Sequence, residues 1–292
     1  MPTLGVPVSL VSARTRDGVL LAGVLAEPRR RRRTAFLWVH GLGSTFASGQ
    51  PMIAALSRRL NAAGLAYLKF DTRGHHVVAR AGKRLGGAAF ERFGDSVKDI
   101  RATIGFARRA GYRRVILAGH STGANKVLHY LGRVRDRRVV GAVLLGPVSD
   151  VVGEIVRVGH RELSRRVAVA ERLARRDPDA LVPRPFGFWT ARRYLSLYRE
   201  GGAEDVFPYR RRRARWTALG RVRVPLAVVI GARDEYLDRP ATALVAAFQA
   251  NATRTLSFTG IVISRARHGF AGQEDVLARA LADWIRAQAL AP

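Results

Sequence analysis

The sequence predicts an α/β fold, a mostly parallel sheet with helices on both faces and one helical insertion. Three observations carry this. Apolar runs, Ala35 to Val39, Val115 to Ala118, Val139 to Leu145 and Pro225 to Ile230, read as buried strands, and Leu65 to Phe70, broken by Lys69 alone, reads as another. Segments with apolar residues at three- and four-residue spacing lie between them, as parallel strands with right-handed crossovers require. From about 151 to 217 the pattern breaks into charged helical segments with scattered prolines, which marks an insertion over the sheet, placed to act as a lid.

With 292 residues and 48% hydrophobic content, the chain suffices for one large domain over 1–292, with the lid insertion at about 151–217. There is no cysteine, which leaves out disulfides, thiolate metal sites and cysteine nucleophiles. No run approaches the roughly 18 apolar residues of a membrane span. Met1 to Val11 also lacks the basic start and apolar stretch of a signal peptide, so a soluble, cytoplasmic protein is expected.

The net charge of +29 comes from arginine, since the lysines are Lys69, Lys83, Lys98 and Lys126 alone. Arg29 to Arg33 and Arg210 to Arg213 form two clusters. Clustered guanidinium groups bind polyanions by releasing counterions, but neither cluster carries the interleaved aromatics of a single-strand platform. Arginine in place of lysine over a solvated surface is the preferred reading. No specific nucleic-acid partner is expected, only weak binding at low salt.

Along the chain, Val6 to Arg14 and Val19 to Ala26 flank the turn Asp17-Gly18 and read as an antiparallel hairpin beside the main sheet. The strand Ala35 to Val39 runs into His40-Gly41-Leu42-Gly43-Ser44, a glycine-flanked turn whose amides can point into a site. Met52 to Ala63 has helical spacing and stops at Gly64. After the strand at Leu65 to Phe70, the polar residues Asp71 and Arg73 are expected to hold a loop by hydrogen bonds. His75 and His76 are adjacent and lack spaced partners, so no metal site is expected. Phe93, Val97, Ile100 and Ile104 mark one face of a helix that closes near Gly111.

Val115 to Gly123 is the centre of the pattern. An apolar strand ends in Gly119-His120-Ser121-Thr122-Gly123, and Ala124 to Leu131 supplies a helix after it. This is the sequence of a nucleophile elbow, a strained strand-to-helix turn that exposes a serine Oγ; the two glycines are needed where a Cβ would collide.

A serine hydroxyl is a weak nucleophile unless a base takes its proton and a carboxylate orients that base. Asp234, in Gly231-Ala232-Arg233-Asp234, and His268, in Arg267-His268-Gly269-Phe270, follow later strands. Ser121, Asp234 and His268 are therefore the expected catalytic residues. Glu235 and Asp150 are the alternatives for the acid. The Leu42 and Thr122 amides are the expected oxyanion donors, with Gly43 as the near alternative to Leu42. His40, Gly43 and His120 are expected beside the substrate. In the insertion, Phe186, Phe188, Trp189, Tyr194 and Tyr198 either line an acyl or ring pocket or pack the insertion onto the core; Phe186 and Trp189 are taken as substrate-binding candidates. A final amphipathic helix carries Leu277, Leu281, Trp284 and Ile285 on one side.

With these residues in view, the chain resembles the α/β-hydrolase superfamily over nearly its whole length. His40-Gly41, the Gly119 to Gly123 elbow, Gly231 to Asp234 and His268-Gly269 carry the resemblance. It implies a serine hydrolase without a cofactor, working through an acyl-enzyme on a small-molecule ester; thioester or amide hydrolysis uses the same triad, and a noncatalytic binding protein is the remaining alternative. Gly41 to Phe46 and Gly231 to Tyr236 are also similar to bacterial relatives of a poorly characterised hydrolase group that includes fungal siderophore esterases.

Overall fold

Among the residues described by the computed structural model (5–30, 33–81 and 83–290), eight strands form one sheet. In chain order they are β1 (Ser9–Arg14), β2 (Leu20–Ala26), β3 (Thr34–Val39), β4 (Ala66–Phe70), β7 (Arg114–His120), β8 (Val139–Leu145), β9 (Leu226–Gly231) and β10 (Phe258–Ile263). A separate small hairpin is formed by β5 (Ala79–Ala81) and β6 (Arg84–Gly86). Across the sheet the order is β1-β2-β4-β3-β7-β8-β9-β10. Strands β4 to β10 of this sheet run parallel, and the opening hairpin adds β2 antiparallel to β4.

Strict alternation along β3 explains why it is apolar throughout. Ala35, Leu37 and Val39 face one core, and Phe36 and Trp38 face the other. The first core is closed by α2 (Ser96–Arg109), α3 (Thr122–Arg133) and α7 (Ala241–Asn251), through Ile100, Ile104, Val127, Leu128 and Phe248. The second is closed by α1 (Gln50–Ala62) and α8 (Glu274–Ala287), through Ile53, Leu56, Leu281 and Trp284. At the end of α1, Gly64 takes φ +81° and the Leu65 amide reaches back to the Leu60 carbonyl at 2.9 Å, which stops the helix.

Between β8 and β9 the chain forms α4 (Asp150–Val158), α5 (His160–Arg176) and α6 (Ala191–Tyr198). These helices have their own small core around Ala170, Val182, Tyr194 and Leu195. They are tied to the sheet by charge. The Arg193 side chain on α6 is fully buried; it donates to the Ala88 carbonyl at 2.9 Å and pairs with Glu204 and, at 3.2 Å, with Glu91. Glu91 in turn pairs with Lys126 of α3 at 2.7 Å. Burial alone would favour a neutral Glu91, but Lys126 and Arg193 outweigh it and hold the carboxyl below its ordinary range.

Of the arginine clusters, Arg31 and Arg32 lie outside the described residues, while Arg210 pairs with Glu200 and Arg211 with Asp205 at 2.8 Å. No helix among the described residues is long and apolar enough to cross a membrane.

Candidate active site

At the end of β7 the backbone turns sharply at Ser121, which holds φ 56° and ψ −129°. Such a conformation costs a non-glycine residue about 1–3 kcal/mol, so the surroundings must enforce it. They do so by proximity. A Cβ on Gly119 would lie 2.3 Å from the Gly123 carbonyl oxygen, and one on Gly123 would lie 2.2 Å from that of Val39. Only glycine fits at either position, and the Ser121 amide is fixed to the Leu145 carbonyl at 2.9 Å.

Ser121 Oγ lies 2.9 Å from His268 Nε2, and His268 Nδ1 lies 2.8 Å from Asp234 Oδ2. The Asp234 carboxylate accepts from Nδ1–H, which leaves Nε2 free to accept from the serine hydroxyl. The acid and base turns are stitched together: the Arg233 amide donates to the Ala266 carbonyl at 2.9 Å, and a Cβ on Gly231 would sit 2.4 Å from that same oxygen.

The backbone of His268 is held as well. Its amide donates to Glu235 Oε2 at 3.0 Å, and its carbonyl accepts from His120 Nε2 at 2.9 Å. His120 is therefore the Nε2–H tautomer, and burial together with His268 pushes it down to about 4, so it stays neutral. The edge of Tyr236 packs on the His268 ring with centroids 4.8 Å apart.

The loop after β3 passes close to Ser121. A Cβ on Gly41 would lie 3.0 Å from Ser121 Cβ, so glycine permits this approach. His40 sits beneath the loop, 1% exposed, and does not face the cavity that holds Ser121. Its Nε2 accepts from the Thr72 amide at 2.9 Å, so Nδ1–H donates to the Gly41 carbonyl at 2.8 Å. Burial and the Lys126 ammonium push its pKa well down, which keeps this neutral form. Asp71 accepts the Phe46 amide at 2.7 Å and shapes the far side of the loop; Arg73 is bound by Asp99 and Asp17.

Ser121 and His268 open into a cavity of about 470 Å³ that Leu42 and Thr122 also line. The expected Leu42 and Thr122 positions are thus brought together with Ser121 and His268. Four of the remaining expectations change. His40 supports the loop instead of touching the cavity. Gly43, at φ +64°, bridges to His75 and is not among the lining residues. Phe186 is buried against Tyr194 beneath the guanidinium of Arg166, and Trp189 packs edge-on to Tyr198; neither lines the cavity, because the insertion needs both for its own core. His120 lines the cavity but also carries the bond to His268.

The far wall comes from α4, where Asp150, Gly153, Glu154 and Arg157 all face the cavity at helical spacing. A Cβ on Gly153 would meet Tyr236 at 3.4 Å, so the small residue lets α4 sit close to that ring. Asp150 accepts from Asn125 Nδ2 at 3.0 Å and does not bond to His268. The signal for this wall was present as a polar stripe at positions three and four apart, which sequence reasoning passed over in favour of the aromatics.

Comparison of the whole fold finds similar solved structures. The siderophore hydrolase EstB from Aspergillus fumigatus is 20% identical, with a TM-score of 0.73 and 99% of each chain covered. Est1E from Butyrivibrio proteoclasticus, solved with ferulic acid bound, is 20% identical at a TM-score of 0.67, covering 96% of this chain and 99% of that one. The esterase Pf2001 from Pyrococcus furiosus is 16% identical at 0.64, covering 98% and 92%. The fold is thus the α/β-hydrolase fold. No curated protein matches the sequence. A family profile described as a protein of unknown function, DUF1749, matches residues 26–287, and the chain belongs to that family.

Proposed function

We propose that this protein hydrolyses a carboxylic ester through an acyl-enzyme formed on Ser121. The observation that carries the reading is the His268 imidazole, bonded at once to Ser121 Oγ at 2.9 Å and to Asp234 at 2.8 Å on the wall of a cavity. The likeness to EstB, described as a siderophore hydrolase, and to the Pyrococcus esterase supports an ester as the scissile group.

His268 takes the Ser121 proton as Oγ attacks the ester carbonyl. The carbonyl electrons move onto oxygen, and the Leu42 and Thr122 amides stabilise that charge, each donor being worth about 3–4 kcal/mol in such sites. The imidazolium then gives its proton to the leaving alcohol as the carbon–oxygen bond breaks. Water, deprotonated by the same imidazole, attacks the acyl-enzyme and releases the acid. Asp234 stabilises the imidazolium throughout without taking its proton.

The test is hydrolysis of p-nitrophenyl esters from acetyl to long acyl chains by wild type and Ser121→Ala, with a fluorophosphonate probe alongside. Ser121-dependent turnover and labelling are expected, with unchanged circular dichroism in the variant. Full activity in Ser121→Ala, or no labelling of the wild type, overturns the reading.

A further inference from the structure

The wall that α4 presents to Ser121 has no role in the chemistry proposed above, and its composition is specific. Glu154 is 5% exposed and already neutralised, by Arg157 at 2.6 Å and by Arg166 at 3.6 Å. The pair thus offers the cavity donors and acceptors without net charge. Asp150, one turn earlier, accepts from Asn125 through one carboxyl oxygen. Burial, reinforced by the nearby Glu204, pushes Asp150 up to about 8, so near neutral pH it bears a proton to donate. Thr122, 2% exposed, also lines this cavity, and its hydroxyl is buried with no hydrogen-bond partner.

Different substrate chemistries fare differently against this wall. An alkyl chain would leave the carboxyl proton of Asp150 without an acceptor. An anion would find Arg157 already committed to Glu154, and a cation would meet that guanidinium and the field of a chain with net charge +29. A hydroxyl both donates and accepts, and is the group that such a mixed, neutral surface satisfies.

We propose that Asp150, Glu154 and Arg157 form a specificity subsite that selects an ester carrying a hydroxyl group on the half that lies under α4. The proposal rests on the ester-hydrolase reading of Ser121. Asp150 touches the substrate hydroxyl, while the Glu154–Arg157 pair completes its hydrogen bonds.

The experiment compares kcat/KM in two matched pairs, p-nitrophenyl 3-hydroxybutyrate against p-nitrophenyl butyrate, and glyceryl butyrate against n-propyl butyrate. In wild type the hydroxylated member of one pair is expected to be preferred by about tenfold or more, because a site built for a hydroxyl rejects the analogue lacking it. The preferred pair identifies which half of the ester lies under α4. Asp150→Leu should bring the ratio to about one, and Asp150→Asn, whose amide still donates, should keep part of it. Ser121-dependent turnover with no preference in either pair overturns the subsite while leaving the hydrolase reading intact, as does a preference that survives Asp150→Leu. Absence of Ser121-dependent turnover on all four esters, with no probe labelling, overturns the hydrolase reading and this proposal with it.

Discussion

Glu235 accepts the backbone amide of His268 at 3.0 Å, while its neighbour Asp234 binds the imidazole of the same residue at 2.8 Å. Two adjacent carboxylates thus divide their work between the backbone and the ring of one histidine. Asp234→Asn should lower kcat by about 10⁴-fold, because the amide favours the wrong tautomer. Glu235→Ala should cost only about tenfold, by loosening the turn, and Glu235→Gln less, since its carbonyl still accepts the amide. Steady-state kinetics on p-nitrophenyl butyrate decide this; a larger loss in Glu235→Ala than in Asp234→Asn reverses the roles.

His40 holds the loop that carries Leu42 by bonding the Thr72 amide on one nitrogen and the Gly41 carbonyl on the other. His40→Ala leaves the buried Thr72 amide without this acceptor, while the Gly41 carbonyl keeps only the Ser44 amide, at 3.3 Å. A loss of about 1–3 kcal/mol is expected in urea unfolding. A fall in kcat of about 10²-fold, with KM little changed, should accompany it as the Leu42 amide drifts. A variant that loses stability but keeps wild-type kcat shows that the loop does not depend on His40.

Removing the Arg193 guanidinium leaves buried Glu204 without this cation and Glu91 with Lys126 alone. Arg193→Met should destabilise the protein by about 3–5 kcal/mol in chemical denaturation. Adding Glu204→Gln should recover part of this, because its uncompensated charge is then gone. A single-variant loss below about 1 kcal/mol, the range of exposed ion pairs, contradicts the anchoring role.

Asp150 gives a pH signature of definite sign. Its folded pKa, about 8, stands above the ordinary carboxylate value, with burial and Glu204 raising it and Arg193 and Asn125 opposing. The native state therefore holds a proton that the unfolded chain has released, so this contribution to stability is full at acid pH and is lost as pH rises towards 8. The slope is at most about 1.4 kcal/mol per pH unit. Asp150→Asn has no such slope. Urea unfolding of both proteins from pH 5 to 9 should show the variant gaining relative to wild type up to about pH 8 and then levelling. A constant difference across that range excludes the raised pKa.

The sheet and its catalytic edge were legible because parallel strands buried on both faces write continuous apolar runs, and because Gly119, Gly123 and Gly231 sit where the backbone leaves no room for a Cβ. The β5–β6 hairpin left no trace, being three residues a strand and largely exposed in β6. Helix α7 was passed over since Ala241 to Asn251 is alanine-rich and shows no polar stripe. The long-range polar bonds were harder still. Nothing local distinguishes Arg193 from the half-buried Arg192 beside it, and the partners Glu91 and Glu204 lie in other segments. The position of Lys126 in the buried stretch after the elbow was the single local hint. Phe186 and Trp189 misled because a helical segment with a core of its own uses aromatics internally.

The buried Arg193 also separates two properties that proteins often couple. Attachment of the helical segment depends on α6, whereas Asp150, Glu154 and Arg157 project from α4. Exchanges at Glu154 and Arg157 leave the Arg193 anchor in place, whereas one at Asp150 also touches the bond to Asn125 of α3. A scaffold arranged this way can change what its cavity meets at two positions while its architecture stays under separate control, which makes that part of α4 the natural place to look for divergence in taste among relatives.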